Sequence, residues 1–379
     1  MSWNMDRKQF FGNLALSFAA VIVALVIGEV LLRFFYKEDI LIFPRYITDV
    51  QYGEFRIRRL RPNTVFWQTS VDGSWEFVTN AQGFRNKTDF TYEKSPGVLR
   101  ILSLGDSHTQ GMEVRQEQTF SAVTERYLRG EGTDAEVINA GVSGFSTAEA
   151  LVFLENEGVK YHPDVVLLGF YGNDLVDNIK AGIFALTEDG LVVKKKEHVP
   201  GADILNVINQ ISLLRWLSEN SYIYSFAFNR VWYYAKKLLR GREMARLTTE
   251  YAIPVDQVDE YQLELMAKLI ERMYIICRQH NIRLLILDIP VVSKVGEIRS
   301  SVPAGLYETL KSNSDFFIYS RDLLNEYRNV AELHVPNGDK HISEFTHLVY
   351  GMEVARAVLG AHAIQTKGRA HRCHPSSHC

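Results

Sequence analysis

Four short motifs contain the residue types that ester chemistry needs, and they follow one another in a fixed order. Gly-Asp-Ser stands at 105–107, Asn-Ala-Gly at 139–141, Gly-Asn-Asp at 172–174 and Asp-Lys-His at 339–341. The first three follow β-like apolar stretches, and open α/β sheets place their chemistry at the carboxyl ends of strands. Ester cleavage by a serine needs an activated hydroxyl, a base and donors for the developing oxyanion. The four motifs together could supply all three.

Each motif contributes one candidate group. Ser107 follows a predicted strand and precedes a turn and helix, so its hydroxyl is accessible and its N–H can face the oxyanion. The backbone N–H of Gly141 and the side-chain amide of Asn173 are two further donors. Taken singly, Ser107 could only cap the next helix and Asn173 could only form an Asx turn. The ordered set favours an active site.

This ordered set of Ser, Gly, Asn and His resembles the four consensus blocks of the SGNH (GDSL-type) hydrolase superfamily, in its membrane-anchored bacterial type. The resemblance covers roughly residues 98–360 and implies an α/β fold, a flavodoxin-like three-layer α/β/α sandwich with a parallel sheet. It implies that Ser107 is the nucleophile, that Ser107, Gly141 and Asn173 form the oxyanion hole, and that His341 is the general base. It requires no metal and no organic cofactor.

The last block departs from the family pattern, which is usually Asp-x-x-His with the Asp orienting the imidazole. Here Gly338 stands three residues before His341, and the nearest carboxylate is Asp339, two residues before it. Asp339 is therefore the expected orienting acid. His347 is the competing base, because Glu344 has the spacing from it that His341 lacks. Its place inside the predicted last helix favours a structural role, so we predict His341 as the base.

The elements that must position these residues alternate regularly from residue 98 onward. The patterns predict strands over 98–104, 135–138, 165–170 and 282–289, and helices over 120–128, 147–161, 261–280 and 345–359. Strands that alternate with helices indicate a parallel, doubly wound sheet. We therefore predict a catalytic domain over 98–360, with a helical insertion at about 178–258 and a disordered tail over 361–379.

The segment before this domain, 38–97, is β-rich rather than α/β. Asp-Gly at 72–73 separates two β-prone runs, 64–70 and 74–79, which is a strong hairpin signal. The segment is either a spacer or one wall of the site.

Residues 1–37 are predicted to be an N-terminal membrane anchor. The chain is almost wholly apolar from Leu14 to Leu32, where Glu29 is the only charge, and about 20 apolar residues suffice to cross a bilayer. A cleaved signal peptide and a buried core helix are the alternatives. A short N-terminus inside and a large domain outside predict an extracytoplasmic (periplasmic or extracellular) catalytic domain.

The insertion contains two notable patterns. Residues 204–217 have amphipathic helical spacing, and 222–242 combine aromatic residues with a basic cluster. Such a stretch can lie on a membrane surface, but a helical cap on the main domain is the favoured interpretation.

Composition limits the partners. A net charge of −3 gives no global basic field, so no nucleic-acid partner is expected. The three cysteines exclude a disulfide scaffold, and Cys277 is expected to be a buried small hydrophobe. The tail, which ends Cys-His-Pro-Ser-Ser-His-Cys, has soft metal ligands but is short and terminal, so we predict no metal site.

The predicted function is that of a membrane-anchored serine hydrolase cleaving acyl esters, O-acetyl or other carboxylic esters, through a Ser107 acyl-enzyme. The substrate is a glycan or lipid ester, and the membrane is the other partner. Three alternatives stay open: an O-acyltransferase or deacetylase acting on extracellular polysaccharide, a lipase or lysophospholipase, and a non-catalytic glycan-binding module.

Overall fold

The computed structural model describes residues 7–35, 46–70, 72–200, 206–207, 210–228, 231, 258–291, 297–336 and 341–370. The N-terminal part comprises helix α1 (Arg7–Phe35) and strands β1 (Ile47–Tyr52), β2 (Phe55–Leu60), β3 (Thr64–Ser70) and β4 (Gly73–Thr79). The further strands are β5 (Leu99–Gly105), β6 (Ala135–Asn139), β7 (Val165–Phe170), β8 (Phe184–Thr187), β9 (Gly190–Val193), β10 (Glu197–His198), β11 (Arg283–Asp288), β12 (Pro290–Val291), β13 (Arg299–Ser300) and β14 (Phe316–Ile318). The further helices are α2 (Ser107–Gln110), α3 (Phe120–Gly130), α4 (Thr147–Asn156), α5 (Asp174–Ala181), α6 (Ser212–Asn220), α7 (222–228), α8 (Glu260–Gln279), α9 (Ala304–Ser312), α10 (Ser320–Leu324) and α11 (Glu344–Ala370).

A five-stranded parallel sheet forms the centre of the molecule, in the order β14-β11-β7-β5-β6. Its strands are largely apolar, and β7 is a continuous apolar run, as expected for a parallel sheet with both faces covered. One face packs on α4 and α8, and the other packs on α3 and α11. Counted along the chain, the strand order is 2-1-3-4-5, so the predicted flavodoxin-like sandwich is confirmed.

The four predicted strands lie within one residue of the observed ones, and the helices predicted over 120–128 and 261–280 lie within two residues of α3 and α8. The fifth strand, β14, was not predicted, because three residues are too short to give a periodic signal. The helix predicted over 147–161 ends at Asn156, and a 3-10 turn, Gly158–Tyr161, completes the segment.

The β-rich segment packs against the sheet domain. The predicted hairpin is confirmed, with β3 and β4 pairing Thr64 with Thr79. Ile57, Leu60 and Phe77 are fully buried and share one apolar core with Phe153 of α4. The segment is therefore a wall of the main domain and not a spacer.

The insertion differs from the helical one that the sequence predicts. It begins with the antiparallel hairpin β8–β9, and β10 then pairs in parallel with β2. The alternating short strands in 184–198 give no helical period, and their partners lie in the β-rich segment. Of the helix predicted over 204–217, the described residues 206–207, 210 and 212–217 are helical, and α6 continues to Asn220. The basic part of the 222–242 stretch lies outside the described residues.

The last helix continues beyond its predicted end at 359. The backbone is helical to Ala370, in a segment predicted to be disordered, because 361–367 contains good helix formers and no proline. Residues 371–379, with the Cys-His tail, lie outside the described residues.

Helix α1 is long and apolar enough to cross a membrane. Its apolar stretch, Gln9–Phe35, has a mean hydropathy of 2.6, and the most apolar part is wholly exposed. A core helix would be buried, so the core-helix alternative is wrong. The helix is a candidate membrane span or signal sequence.

Candidate active site

The site lies where β5 and β7 end side by side. These parallel neighbours pair Gly105 with Gly169, which places 106–107 beside 171–174. The chain crosses to opposite sides of the sheet at this point, and the resulting crevice is where α/β folds of this type bind ligands. Ser107 follows β5 and Asn173 follows β7, so the sheet brings together two of the predicted groups.

Ser107 is the first residue of α2. Asp106 caps this helix, its Oδ1 accepting the N–H of His108 at 2.8 Å. A first helical residue has no acceptor within its own helix, so the N–H of Ser107 is available to a ligand. Asp106 thus fixes the turn that begins the helix of Ser107.

His341 contacts Ser107, the predicted nucleophile, directly. Its Nε2 lies 2.8 Å from Ser107 Oγ, although the two residues are 234 positions apart. The loop that carries it is held by the N–H of Val335, which donates to the His341 carbonyl at 2.8 Å. His341 is 1% exposed, so the Ser–His pair is shielded from bulk water.

Glu113 occupies the other side of the imidazole, which sequence reasoning missed. Its Oε2 lies 3.2 Å from His341 Nδ1, and both side chains are 1% exposed. The backbone of Glu113 has φ +63°, a left-handed conformation that non-glycine residues adopt at a cost and that often marks functional sites. The available signal was a carboxylate six residues after Ser107 in an otherwise apolar loop.

The loop that carries Glu113 is clamped by Arg85, another residue that sequence reasoning missed. The buried guanidinium donates to the carbonyls of Gln110 and Val114, each at 2.8 Å, and also to that of Gly111. It lies over the Phe77 ring, 4.5 Å from the centroid. A side chain of the β-rich segment therefore fixes the loop next to the nucleophile.

Asp339, the predicted orienting acid, lies outside the described residues.

The competing base, His347, points elsewhere. Its Nδ1 accepts the N–H of Phe120 at 3.0 Å, and burial lowers its pKa to about 3. Glu344 forms an ion pair with Arg115 at the surface instead of orienting His347. His347 therefore has the structural role that its place in α11 suggests.

Gly141 packs tightly on the helix of the nucleophile. A Cβ atom there would lie 2.3 Å from the backbone nitrogen of Gln110. The N–H of Gly141 donates to Asn139 Oδ1 at 3.1 Å, while Asn139 Nδ2 donates to the carbonyl of Thr109 at 3.0 Å. In this structure the predicted oxyanion donor is thus used within its own turn.

Asn173 lies at the start of α5, and its side chain stabilises the ionised form of Asp106. Among the described residues, Asn173 Oδ1 and Asp106 Oδ2 are buried without hydrogen-bond partners. Burial raises the pKa of Asp106 to about 6 and that of Asp174 well above its usual range. The negative charge of Asp106 adds to the effect of burial on Asp174, so Asp174 holds its proton more readily than an exposed carboxyl does.

His108 fills the space beside the base. Its ring packs against those of Tyr171 and His341, with centroids 4.4 and 4.8 Å away, and the N–H of Ile342 donates to its Nδ1 at 3.4 Å. Burial holds the pKa of His108 well below its usual range. A neutral His108 supports His341 by packing.

No cluster of metal-ligating side chains occurs in the part of the chain that the structure describes. The groups at the site are a hydroxyl, two imidazoles, an amide and carboxyls. Their arrangement can move a proton between Ser107, His341 and a bound substrate.

Comparison with known proteins finds a family match for part of the chain. Residues 103–286 match the GDSL-like Lipase/Acylhydrolase family. The match runs from β5 into β11 and includes Ser107, Gly141 and Asn173, while His341 lies beyond it. Residues 103–286 of this chain are thus similar to the domain of that family.

Solved structures match this chain over about two thirds of its length. A lipase/acylhydrolase from Enterococcus faecalis is 16% identical, with 69% of this chain and 96% of that one covered and a TM-score of 0.40. A mutant of Axe2, an acetyl-xylooligosaccharide esterase from Geobacillus Stearmophilus, is 13% identical over 71% and 95%, with a TM-score of 0.38. TesA is 14% identical over 68% and 97%, with a TM-score of 0.35. A search of curated proteins finds no match.

Proposed function

We propose that this protein is a membrane-anchored serine hydrolase that cleaves carboxylic esters, O-acetyl esters among them, through an acyl-enzyme on Ser107. The observation that carries the proposal is the 2.8 Å contact between Ser107 Oγ and His341 Nε2. A serine hydroxyl within hydrogen-bond reach of an oriented imidazole is the arrangement of an activated nucleophile. A non-catalytic glycan-binding module has no use for it.

His341 takes the proton of Ser107 as Oγ attacks the ester carbonyl carbon. The tetrahedral intermediate collapses, the C–O bond to the alcohol breaks, and His341 gives its proton to the leaving alkoxide. Water then attacks the acyl carbon as His341 accepts its proton, and the acid is released with Oγ reprotonated. The N–H of Ser107 and the amide of Asn173 are donors to the oxyanion. The N–H of Gly141 would be the third on turning away from Asn139.

Glu113 is the proposed orienting acid. A carboxylate that accepts a hydrogen bond from Nδ1 fixes the tautomer in which Nε2 is the base, and it stabilises the imidazolium that forms. Glu113 Oε2 is in place for this, at 3.2 Å from Nδ1. The acid would then follow the nucleophile in the same loop, whereas the family pattern places it just before the histidine.

A fluorophosphonate serine probe tests the mechanism directly. We expect the purified protein to be labelled and to turn over p-nitrophenyl acetate. Ser107→Ala and His341→Ala should lose both activities, and Ser312→Ala, at an exposed serine of α9, should keep them. Labelling that persists in Ser107→Ala would refute the assignment of the nucleophile.

Transfer to a sugar hydroxyl instead of water uses the same residues. Product analysis with candidate acceptors in the assay distinguishes a transferase from a hydrolase: a transferase would yield acylated sugar at the expense of free acid. Assays with lysophospholipid in place of acetyl esters address the lipase alternative.

The anchoring part of the proposal is supported by the contacts of α1. Its last turns make specific hydrogen bonds with the rest of the chain, for example from Arg33 to the Asn220 carbonyl at 2.6 Å. A signal peptide is removed and needs no such partners. Intact-mass measurement of the mature protein should therefore show residues 1–37 retained, with the protein resistant to alkaline extraction. Protease added outside intact cells or spheroplasts should digest an extracytoplasmic catalytic domain.

A further inference from the structure

The end of α1 is joined to the insertion at the junction of α6 and α7. The Glu29 carboxylate accepts the N–H groups of Tyr222 and Ile223, at 2.9 and 3.0 Å, and the hydroxyl of Ser221 at 2.9 Å. Arg33 donates to Glu29 at 2.9 Å and lies over the Tyr222 ring, 5.1 Å from its centroid. These contacts fix where α6 and α7 sit along the axis of α1.

That position is close to the edge of a bilayer. The apolar part of α1 starts at Gln9, and about 20 helical residues, at roughly 1.5 Å each, cross a hydrocarbon core of about 30 Å. The far boundary then falls near Glu29. A carboxylate and a guanidinium at this level lie among the lipid headgroups, and the α6–α7 junction lies with them.

The same two helices expose large apolar side chains. Leu213 and Trp216 are 64% and 57% exposed and lie three residues apart on one face of α6. Phe226 of α7 is also exposed, as are Val207, Ile211 and Val231 on either side. Clustering of this kind is uncommon on a surface that faces water, and tryptophan favours membrane interfaces. The exposed Arg215 lies between Leu213 and Trp216 in the sequence, and its long side chain can reach lipid phosphates.

We infer that α6 and α7 lie in the interface of the bilayer that α1 spans, with Leu213, Trp216 and Phe226 among the upper acyl chains. The lipid surface is thus a second contact beside the span, and it holds the catalytic domain in one orientation on the membrane. This inference rests on the anchoring in the proposed function. For the beginning of the 222–242 stretch, it favours a position on the membrane surface over a helical cap on the main domain.

The test uses the full chain with Cys373 and Cys379 replaced by serine, leaving the buried Cys277. Single cysteines are introduced by Leu213→Cys, by Ile22→Cys inside the span, and by Val330→Cys. Val330 is the matched control, because it is 69% exposed but lies in a loop between α10 and α11. Each single-cysteine protein is labelled with nitrobenzoxadiazole and reconstituted into phosphatidylcholine–phosphatidylglycerol vesicles. Quenching of the label's fluorescence by doxyl-labelled lipid is then compared with its quenching by aqueous iodide.

We expect doxyl lipid to remove about half or more of the fluorescence at 22 and 213 and little at 330, since interfacial helices are buried by about 5–10 Å. Quenching at 22 without quenching at 213 would overturn the inference and leave the anchor standing. Quenching at neither position would overturn both the interfacial position of α6 and α7 and the proposed membrane anchor. Phe226→Cys repeats the measurement if Leu213→Cys does not fold. Turnover of p-nitrophenyl acetate by each labelled protein reports separately on the hydrolase proposal.

Discussion

At the scale of single residues, three buried histidines lie in this part of the molecule, His108, His341 and His347, and their contacts give them different roles. His347 accepts a backbone N–H, and His108 packs against the ring of His341. Burial lowers the pKa of both, so they stay neutral where an imidazole normally begins to protonate. His341 alone of the three places a ring nitrogen on Ser107 Oγ. Hydrogen bonding, and not sequence spacing, therefore separates the base from its neighbours.

The roles of the two candidate acids can be separated by paired substitutions. Glu113→Gln keeps the size of the side chain and the backbone of the loop, but its amide can stabilise the wrong tautomer of His341. We expect kcat for p-nitrophenyl acetate to fall by roughly 10²–10⁴-fold with little change in KM, since the loss lies in the transition state. Asp339→Asn is the matched variant and should change kcat by less than about threefold. A large loss in Asp339→Asn with none in Glu113→Gln would show that Asp339, and not Glu113, is the orienting acid.

His347 should make the stability of the protein depend on pH. Its pKa is about 3 in the folded state against an ordinary 6.5, so between these values the unfolded chain binds the extra proton. The free energy of unfolding must then fall as pH drops below about 6.5, by up to about 1.4 kcal/mol per pH unit from this group. His347→Asn, whose Oδ1 can accept the N–H of Phe120, should lose this contribution. Urea unfolding of both proteins at about pH 7, 6 and 5 measures the free energy of unfolding. The same dependence of this free energy on pH in both proteins would contradict the prediction.

Part of the site could be predicted from residue types. The rest could not, because it depends on contacts between residues that are distant in sequence. Ser107 and His341 are recognisable because each lies in a motif of fixed composition. Glu113 lies in no such motif, and it meets His341 across 228 positions of sequence through the closure of the fold. Arg85 is similar: a surface-type residue in the sequence becomes a buried clamp only because three carbonyls converge on it.

At the scale of elements, the ends of β5, β6 and β7 carry the site, and the loop after β6 is pressed against α2. This close packing requires glycine at 141, because a side chain there would meet backbone atoms of Thr109 and Gln110. Backbone atoms cannot rotate out of the way as the end of a side chain can. The elements themselves follow from periodicity, as β5, β7 and α8 illustrate. Short pieces such as β10 and β14 form only beside partners distant in sequence, so local pattern does not reveal them.

Gly141→Ala tests this packing. The variant keeps the backbone N–H, so a loss of activity would report displacement of α2 and not the loss of a donor. We expect it to lower stability by roughly 1–3 kcal/mol and kcat by about 100-fold. Gly360→Ala is the matched control, because its added Cβ meets open space in α11, and it should stabilise the helix by roughly 0.5–1 kcal/mol. Thermal unfolding and p-nitrophenyl acetate turnover measure both, and normal activity in Gly141→Ala would refute the packing role.

At the scale of the whole molecule, the β-rich segment and the sheet domain depend on each other. The segment supplies Arg85 to the nucleophile loop, and the hydroxyl of Tyr46 accepts a hydrogen bond from Gln110 Nε2 at 3.1 Å. Gln110 Oε1 in turn accepts the N–H of Ser143 at 2.7 Å, which links this wall to the loop after β6. The boundary at 97–98 that the sequence predicts is thus a change of secondary structure within one shared core.

Two truncations distinguish an anchor from an integral wall. Removal of residues 1–37 takes away α1, whose polar contacts in the described structure are with Asn220–Ile223 and not with the site. Turnover of soluble esters should therefore be retained while binding to vesicles weakens.

Removal of residues 1–97 also takes away Ile57, Leu60, Phe77 and Phe84, which are all buried. Burial of these side chains is worth roughly 6–12 kcal/mol together. That is comparable with the entire stability of a typical domain, about 5–15 kcal/mol. The 98–379 fragment should therefore be insoluble or inactive. The 38–379 fragment is its control: circular dichroism should show that it is folded, and it should be active toward p-nitrophenyl acetate. A folded, active 98–379 fragment would mean that neither the shared core nor the Arg85 clamp is needed to build the site.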